Sequence, residues 1–497
     1  MTRSTGNRRA LTAAGATAVA LFLGGVAAPV QAAGSDVVPI DFNELSTIPK
    51  DSLSVQARGI LRNSNKYAVT TWWNTVKDYD AQDASPYLNF GGANEKNIRP
   101  PAAQAMGLAT SIRLGIYDPK QTGVSTATAK AITTRLISSL AHTHYSNAGG
   151  WGTKNPPGGA GGSLGWQTAL WASEAGNAGW MFWDYLSAQQ RTEVKNMVES
   201  EANRFIGWTP PYYRSVDGKV LYPGDTKSEE LAWDANILEL AVGMMPNHPN
   251  HDRWMDKRIE LNLAAHARPE DLSAAKRDTV VNGKSLGQWL KGTNVYDDGT
   301  AVNHSRIHPA YMLYPFITAN GVLNQGLAGK ATPYADLRGF PVVYKALADL
   351  KWTPGPAPAQ YAVDSTLPKQ IDAPGGTIYA NSSTKAGDPS DIYYPQANDW
   401  GFGSRMDFAL VDLIGATVSY NGKTLDHMTS KGGAYWAGVH LGKQLNMQAR
   451  FSDGHTYANG ENTYDGREEM VSDLAGRAVL LRLLGANGKI ALTADAF

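Results

Sequence analysis

The stretch Pro101-Ala102-Ala103-Gln104-Ala105-Met106-Gly107-Leu108-Ala109-Thr110-Ser111-Ile112, followed shortly by Ile116, decides how the chain is read. Ala102, Ala105, Ala109, Ile112 and Ile116 recur at three- and four-residue steps, which puts them on one face of a helix. Pro101 suits that helix's first turn, where its missing N–H is no loss. The same periodicity returns in Ala129, Ile132, Leu136 and Leu140, in Val194, Val198, Ala202 and Phe205, and in Val471, Leu474, Ala478 and Leu481. Read along the whole chain, the pattern predicts about thirteen helices of roughly ten to twenty residues. Alternation of period two is nearly absent, apart from short possibilities around Gly376–Ala380, which argues against a βαβ enzyme.

The connections are of two kinds. Asn247-His248-Pro249-Asn250 is a tight link, whereas Gly149–Gly165, Gly207–Asp225, Asn282–Pro309 and Thr353–Gly403 are long and rich in Gly, Pro and aromatics. Long ordered loops beside short helix links are usually functional. Antiparallel helix pairs must close or stack to bury both faces. The expected architecture is therefore all-α, an (α/α) toroid with its long loops at one rim. A superhelical array is the alternative, but no repeat of fixed length is present. Residues 34–497 read as one large domain, with Thr353–Pro358 as the best candidate linker.

Residues 1–33 read as an export leader. Arg3, Arg8 and Arg9 precede an apolar run from Leu11 to Ala28, and Val30-Gln31-Ala32 offers small side chains for cleavage. The expectation is a secreted protein. Across the chain 45 Lys and Arg balance 45 Asp and Glu, so loss of the three leader arginines leaves the mature chain slightly acidic. A nucleic-acid or membrane-surface partner would favour a basic excess, and neither is expected. The chain has no cysteine, which removes disulfides, thiolate catalysis and cysteine-bound zinc. Its 14 Trp and 22 Tyr supply flat faces for sugar rings with N–H and O–H groups for hydroxyls.

The densest chemistry lies in Asn294-Val-Tyr-Asp-Asp-Gly-Thr-Ala-Val-Asn-His-Ser-Arg-Ile-His-Pro-Ala-Tyr311. His304 and His308, four apart, would share a helix face as metal ligands. Pro309, however, is best placed in a helix's first turn, which leaves His304 in the preceding loop and weakens the zinc reading. No metal is assigned, no organic cofactor is expected, and a structural cation stays open. The other reading is uronate chemistry. β-Elimination removes the C5 proton beside a carboxylate, so it needs a group to neutralise that carboxylate, a base, and an acid for the leaving oxygen. Asn303, His304, Arg306 and Tyr311 supply these types in one stretch.

Adjacent Asn303 and His304 in a loop of a helical chain, with Tyr311 nearby, resemble the helical polysaccharide lyases: alginate lyases, heparinase II/III-like enzymes and hyaluronate lyases. Asp298-Gly299-Thr300 ahead of His304 is also similar to the Asp-Gly-Ser…His run of hyaluronate lyases. The resemblance implies that Asn303 neutralises the substrate carboxylate, with His304 and Tyr311 as base and acid. The chain differs from that pattern in two ways. Tyr311 follows the histidine closely, which leaves Tyr314, Tyr393 or Tyr394 as alternative acids. No C-terminal β-sandwich is evident, as in the single-domain alginate lyases.

A second constellation, Asp225-Thr-Lys-Ser-Glu-Glu-Leu-Ala-Trp-Asp-Ala-Asn236, opens a helix. Thr226 and Glu229 fit a capping box, so Glu229 reads as structural. Glu230, Trp233 and Asn236 then project at helical spacing, Glu230 as a catalytic candidate and the other two toward substrate. A third, the glycine-rich run from Trp151 to Gln167, lacks the Gly-Lys-Ser/Thr of a phosphate loop. Trp151, Trp166 and Gln167 fit a sugar subsite. His308 and Arg306 join the substrate-binding set, as does Arg405 beyond the loop Tyr393–Trp400. The reading is a lyase acting on an acidic polysaccharide or oligosaccharide. The alternatives are an inverting glycoside hydrolase using two carboxylates among Glu230, Asp234, Asp297 and Asp298, and a carbohydrate-binding protein without catalysis.

Overall fold

The computed structural model describes residues 37–493 except 148, 159–164, 318–319, 380–391, 400–404 and 463. The leader and Trp400 lie outside the described residues.

The helical periodicity becomes fifteen helices among the described residues: α1 (Ser52–Tyr67), α2 (Glu95–Arg113), the single turn α3 (Pro119–Thr122), α4 (Thr126–His142), α5 (Gln167–Met181), α6 (Ala188–Asn203), α7 (Ser228–Met244), α8 (His251–Ala265), the single turn α9 (Leu286–Trp289), α10 (Pro309–Ile317), α11 (Asn320–Leu327), α12 (Phe340–Asp349), α13 (Arg405–Thr417), α14 (Gly433–Gln448) and α15 (Arg467–Ala486). The described strands are two residues long and occur in two-stranded pairs. No helix among the described residues is long and apolar enough to cross a membrane.

Local chemistry sets the helix starts. Asp51 and Ser125 accept backbone N–H groups at the openings of α1 and α4, and Ser187 with Gln190 forms a reciprocal capping box on α6. The start of α2 differs from the sequence expectation: it begins at Glu95, so Pro100 and Pro101 sit inside the helix. Each proline deprives a carbonyl one turn earlier of its donor. The helix continues because every residue from Ile98 to Ile112 is buried, and burial of each large apolar side chain is worth about 1.5–3 kcal/mol.

The helices fall into two burial classes. α5, α7 and α15 are buried almost all round, whereas α1, α6 and α8 bury one side and expose the other. α2 packs on α5, α5 on α7, α7 on α10 and α11, α10 on α13, α13 on α15, and α15 on α2. α1, α4, α6, α8, α12 and α14 flank these helices. At the α2–α15 crossing a side chain at Gly107 would collide with the Ser472 backbone, so the absent Cβ permits the close approach.

The long loops are tied to one another. Arg204 Nη1 and Trp208 Nε1 donate to the carbonyls of Asn155 and Pro157 at 3.2 and 3.1 Å. Arg214–Ser215 pairs antiparallel with Gly292–Thr293. The Tyr213 hydroxyl donates to Asp364 at 2.8 Å. Gly355–Pro356, within the candidate linker, instead pairs with Gln370–Ile371.

Candidate functional site

Four of the residues expected at the site, and the alternative acid Tyr314, border one cavity of about 460 Å³, a size suited to a small ligand or a few sugar units. Trp166, Gln167, Trp233 and Tyr311 line it together with Glu95, Arg99, Glu229, Tyr314, Asp399, Asp407, Tyr464 and Arg467. Trp166, at the mouth of α5, lies 4.8 Å from the Trp233 ring on α7. The Arg99 guanidinium stands 4.5 Å over Trp233. Gln167 donates to Glu95 at 3.1 Å, while its buried amide oxygen has no hydrogen-bond partner and can accept from a hydroxyl.

His304 is not among the residues lining this cavity; it sits on a hairpin and hydrogen-bonds two that are, Asp399 and Tyr311. Val302–Asn303 pairs with Arg306–Ile307, and His304 and Ser305 form the two-residue turn with φ of 50° and 57°. Such turns require positive φ at both central positions and normally carry Asn and Gly. Here a histidine takes the unfavourable geometry, a feature that clusters at functional sites. Surrounding bonds hold the turn. The His304 amide donates to Asn303 Oδ1 at 2.7 Å, and the Ser305 amide donates to the Gly224 carbonyl at 3.0 Å. Gly224 has φ of 74°, and a Cβ there would lie 2.4 Å from Ser305 Oγ, so the approach requires glycine.

The hairpin completes a hydrogen-bonded chain. The Asp399 carboxylate only accepts, so His304 donates from Nδ1 at 2.7 Å, which leaves Nε2 as the acceptor facing the Tyr311 hydroxyl at 3.3 Å. Tyr311 also hydrogen-bonds the Glu229 carboxyl. His308, buried just before α10, meets the other Asp399 oxygen through Nε2 at 3.3 Å. Hydrogen bonds from His308 and His304 hold the Asp399 carboxyl well below the usual carboxylate range. Burial raises the Tyr311 hydroxyl far above its ordinary value, with Glu229 reinforcing it, so Tyr311 stays protonated.

Burial also pushes Glu229 up to about 8, partly opposed by Arg99, and Asp407 up to about 7. At neutral pH the cavity therefore presents a largely protonated glutamic acid beside an always-charged arginine. This corrects the expected capping box. Thr226 instead donates to the Asn294 carbonyl at 2.8 Å, α7 begins at Ser228, and Glu229 turns into the cavity. Glu230, expected to be catalytic, is tied 3.1 Å from Lys227, which also holds Asp225 at 2.6 Å. Asn303 donates to Asp225 at 3.1 Å, and its oxygen takes the His304 amide, so its side chain fixes the hairpin rather than bordering the cavity.

Other expected binding residues lie elsewhere. Trp151 is fully buried, its Nε1 donating to the Leu140 carbonyl at 2.9 Å and its ring edge-on to His144. Asn236 is buried and donates to the Ala232 carbonyl one turn back on α7. Arg306 donates to the His304 carbonyl at 3.2 Å and sits 3.9 Å from Asp399, bracing the turn. Arg405 is buried at the start of α13 and is not among the residues lining the cavity. Of the hydrolase candidates, Asp234 is buried, Asp297 accepts the Glu270 amide at 2.7 Å, and Asp298 accepts the Thr300 amide at 3.0 Å within its own turn. Glu95 and Asp407 were missed: only the stacking of distant segments brings them to the cavity.

No family model, curated protein or solved structure matches the chain.

Proposed function

We propose that the protein is an exported lyase that cleaves a uronate-containing polysaccharide by β-elimination in the cavity beside α2, α5, α7 and α10. The observation that carries this reading is the chain Asp399–His304–Tyr311–Glu229, which sets a base and a protonated hydroxyl 3.3 Å apart at an aromatic-walled cavity. The arginine pair Arg99 and Arg467 and the protonated Glu229 meet the uronate carboxylate, the role first given to Asn303. His304 Nε2 takes the C5 proton, and the electron pair left behind forms the C4–C5 double bond. The C4–O bond breaks, and Tyr311 gives its proton to the departing oxygen. Charge that builds on the carboxylate as C5 loses its proton is met by cationic and O–H groups already in position, which is where electrostatic catalysis gains most. Trp166 and Trp233 provide the stacking faces, and Gln167 accepts from a hydroxyl.

The architecture we infer is an (α/α) toroid. The succession of contacts α2–α5–α7–α10–α13–α15–α2, with the one-sided helices outside it, supports this reading. The leader read in residues 1–33 supports export. A screen of acidic and neutral polysaccharides, following unsaturated-uronate absorbance and reducing ends together, tests the function. The lyase gives both signals in step.

An inverting hydrolase has one specific observation in its favour, since Glu229 carries a proton near neutrality as a general acid must. It would pair Glu229 with Asp407 and give reducing ends alone.

A further inference from the structure

His304, His308 and Asp399 come from a hairpin turn, a helix entrance and a distant loop, yet each offers a ligating atom within 4.8 Å of the others. His304 Nδ1 and His308 Nε2 both point at Asp399, at 2.7 and 3.3 Å. Two imidazoles and one carboxylate are the donor set of open transition-metal sites, with zinc the commonest occupant when three protein ligands leave a position for water. We propose that this triad is a binding site for a first-row divalent cation such as Zn²⁺, with ligands His304 Nδ1, His308 Nε2 and an Asp399 oxygen.

Zinc–ligand bonds are about 2.0–2.2 Å, so the two histidine nitrogens must draw together around the ion. The turn's backbone is held, but the His304 side chain is 40% exposed, so its ring can adjust by side-chain rotation. His308 is fully buried and anchors the site. Arg306 lies 3.9 Å from Asp399, and its charge lowers the affinity without occupying a ligand position. An ion on Nδ1 leaves the proton of the neutral His304 ring on Nε2, the nitrogen that faces Tyr311. Zinc would therefore remove the acceptor that the proposed elimination uses, a consequence that rests on the lyase reading. The site itself does not.

Equilibrium dialysis of the chelator-treated full protein against zinc chloride tests the site without any turnover. The expected result is one zinc per chain. Asp399→Asn and His304→Ala should each weaken binding by more than the roughly 10–100-fold cost of losing an outer-shell partner. Both positions are partly exposed, so folding of the variants is checked by circular dichroism. Absence of stoichiometric uptake, or uptake unchanged in both folded variants, would overturn the proposal. A lyase that fails to take up zinc, or a zinc-binding protein without lyase activity, separates the two ideas.

Discussion

His304 Nε2 lies 3.3 Å from the Tyr311 hydroxyl, although one residue sits on a strained hairpin turn and the other in the first turn of α10. The turn is held by Asn303, Gly224 and Asp399, and the helix by burial of its own residues. General acid–base groups contribute about 10²–10⁴-fold in rate. His304→Ala should therefore lose turnover on that scale, with saccharide affinity and melting temperature nearly unchanged. Steady-state kinetics beside a binding titration checks this, and full activity would remove His304 from the chemistry.

Asn303 acts through the turn, so Asn303→Ala should lower turnover by freeing His304 rather than by exposing the substrate carboxylate to an uncompensated charge. The expected signature is a fall in kcat with little change in KM. Arg99→Ala, by contrast, should raise KM as well, because in the proposed lyase its guanidinium meets the ground-state carboxylate. Identical profiles for the two variants would contradict this division of roles.

The two tryptophans of the glycine-rich segment separate stacking from packing. Trp166→Ala should weaken saccharide binding by about 1–3 kcal/mol, within the range of aromatic truncations at interfaces. Trp151→Ala should leave binding alone and cost about 3–5 kcal/mol of stability, the usual result for a buried Trp. Calorimetric binding and thermal unfolding on both variants decide the matter, and the opposite pattern would return Trp151 to the subsite.

Much of the helical layout was legible because burial on one face imprints a spacing on the sequence, as in Ala102, Ala105 and Ala109. The helix starts were less so. Adjacent helical residues differ by about 100° in direction, so the true opening of α7 exchanges the roles of Glu229 and Glu230: the presumed cap faces the cavity and the presumed acid pairs with Lys227. Pro101 misled for a related reason, since packing carried α2 across two prolines that local preference would place at its start. Asn303, His304 and Tyr311 were visible because they crowd one stretch. The pairing of Asp399, in the loop Tyr393–Trp400, with His304 was not, since the two lie 95 residues apart and meet only through tertiary structure.

Glu229 gives the fold a pH dependence of known sign. Its folded value of about 8 lies above the ordinary 4.5, so its protonated form favours folding. That stabilisation is complete below about pH 4.5 and is lost as pH rises through about 8. Native stability should fall on going from about pH 6 to 9, by up to ~1.4 kcal/mol per unit for this group. Glu229→Gln, which cannot ionise, should flatten that part of the slope in urea melts at a series of pH values. A slope equal to that of the native protein would show that Glu229 titrates as an ordinary carboxylate.

The most direct measurement is the ratio of unsaturated uronate ends to new reducing ends released from an acidic polysaccharide by the native protein and by Tyr311→Phe. Elimination makes one double bond for each chain cut, so the native protein should give a ratio near one. Tyr311→Phe, which keeps the ring and lacks the proton donor, should lose both signals together. Reducing ends without the double bond, from a protein that still needs Glu229, would contradict the lyase account.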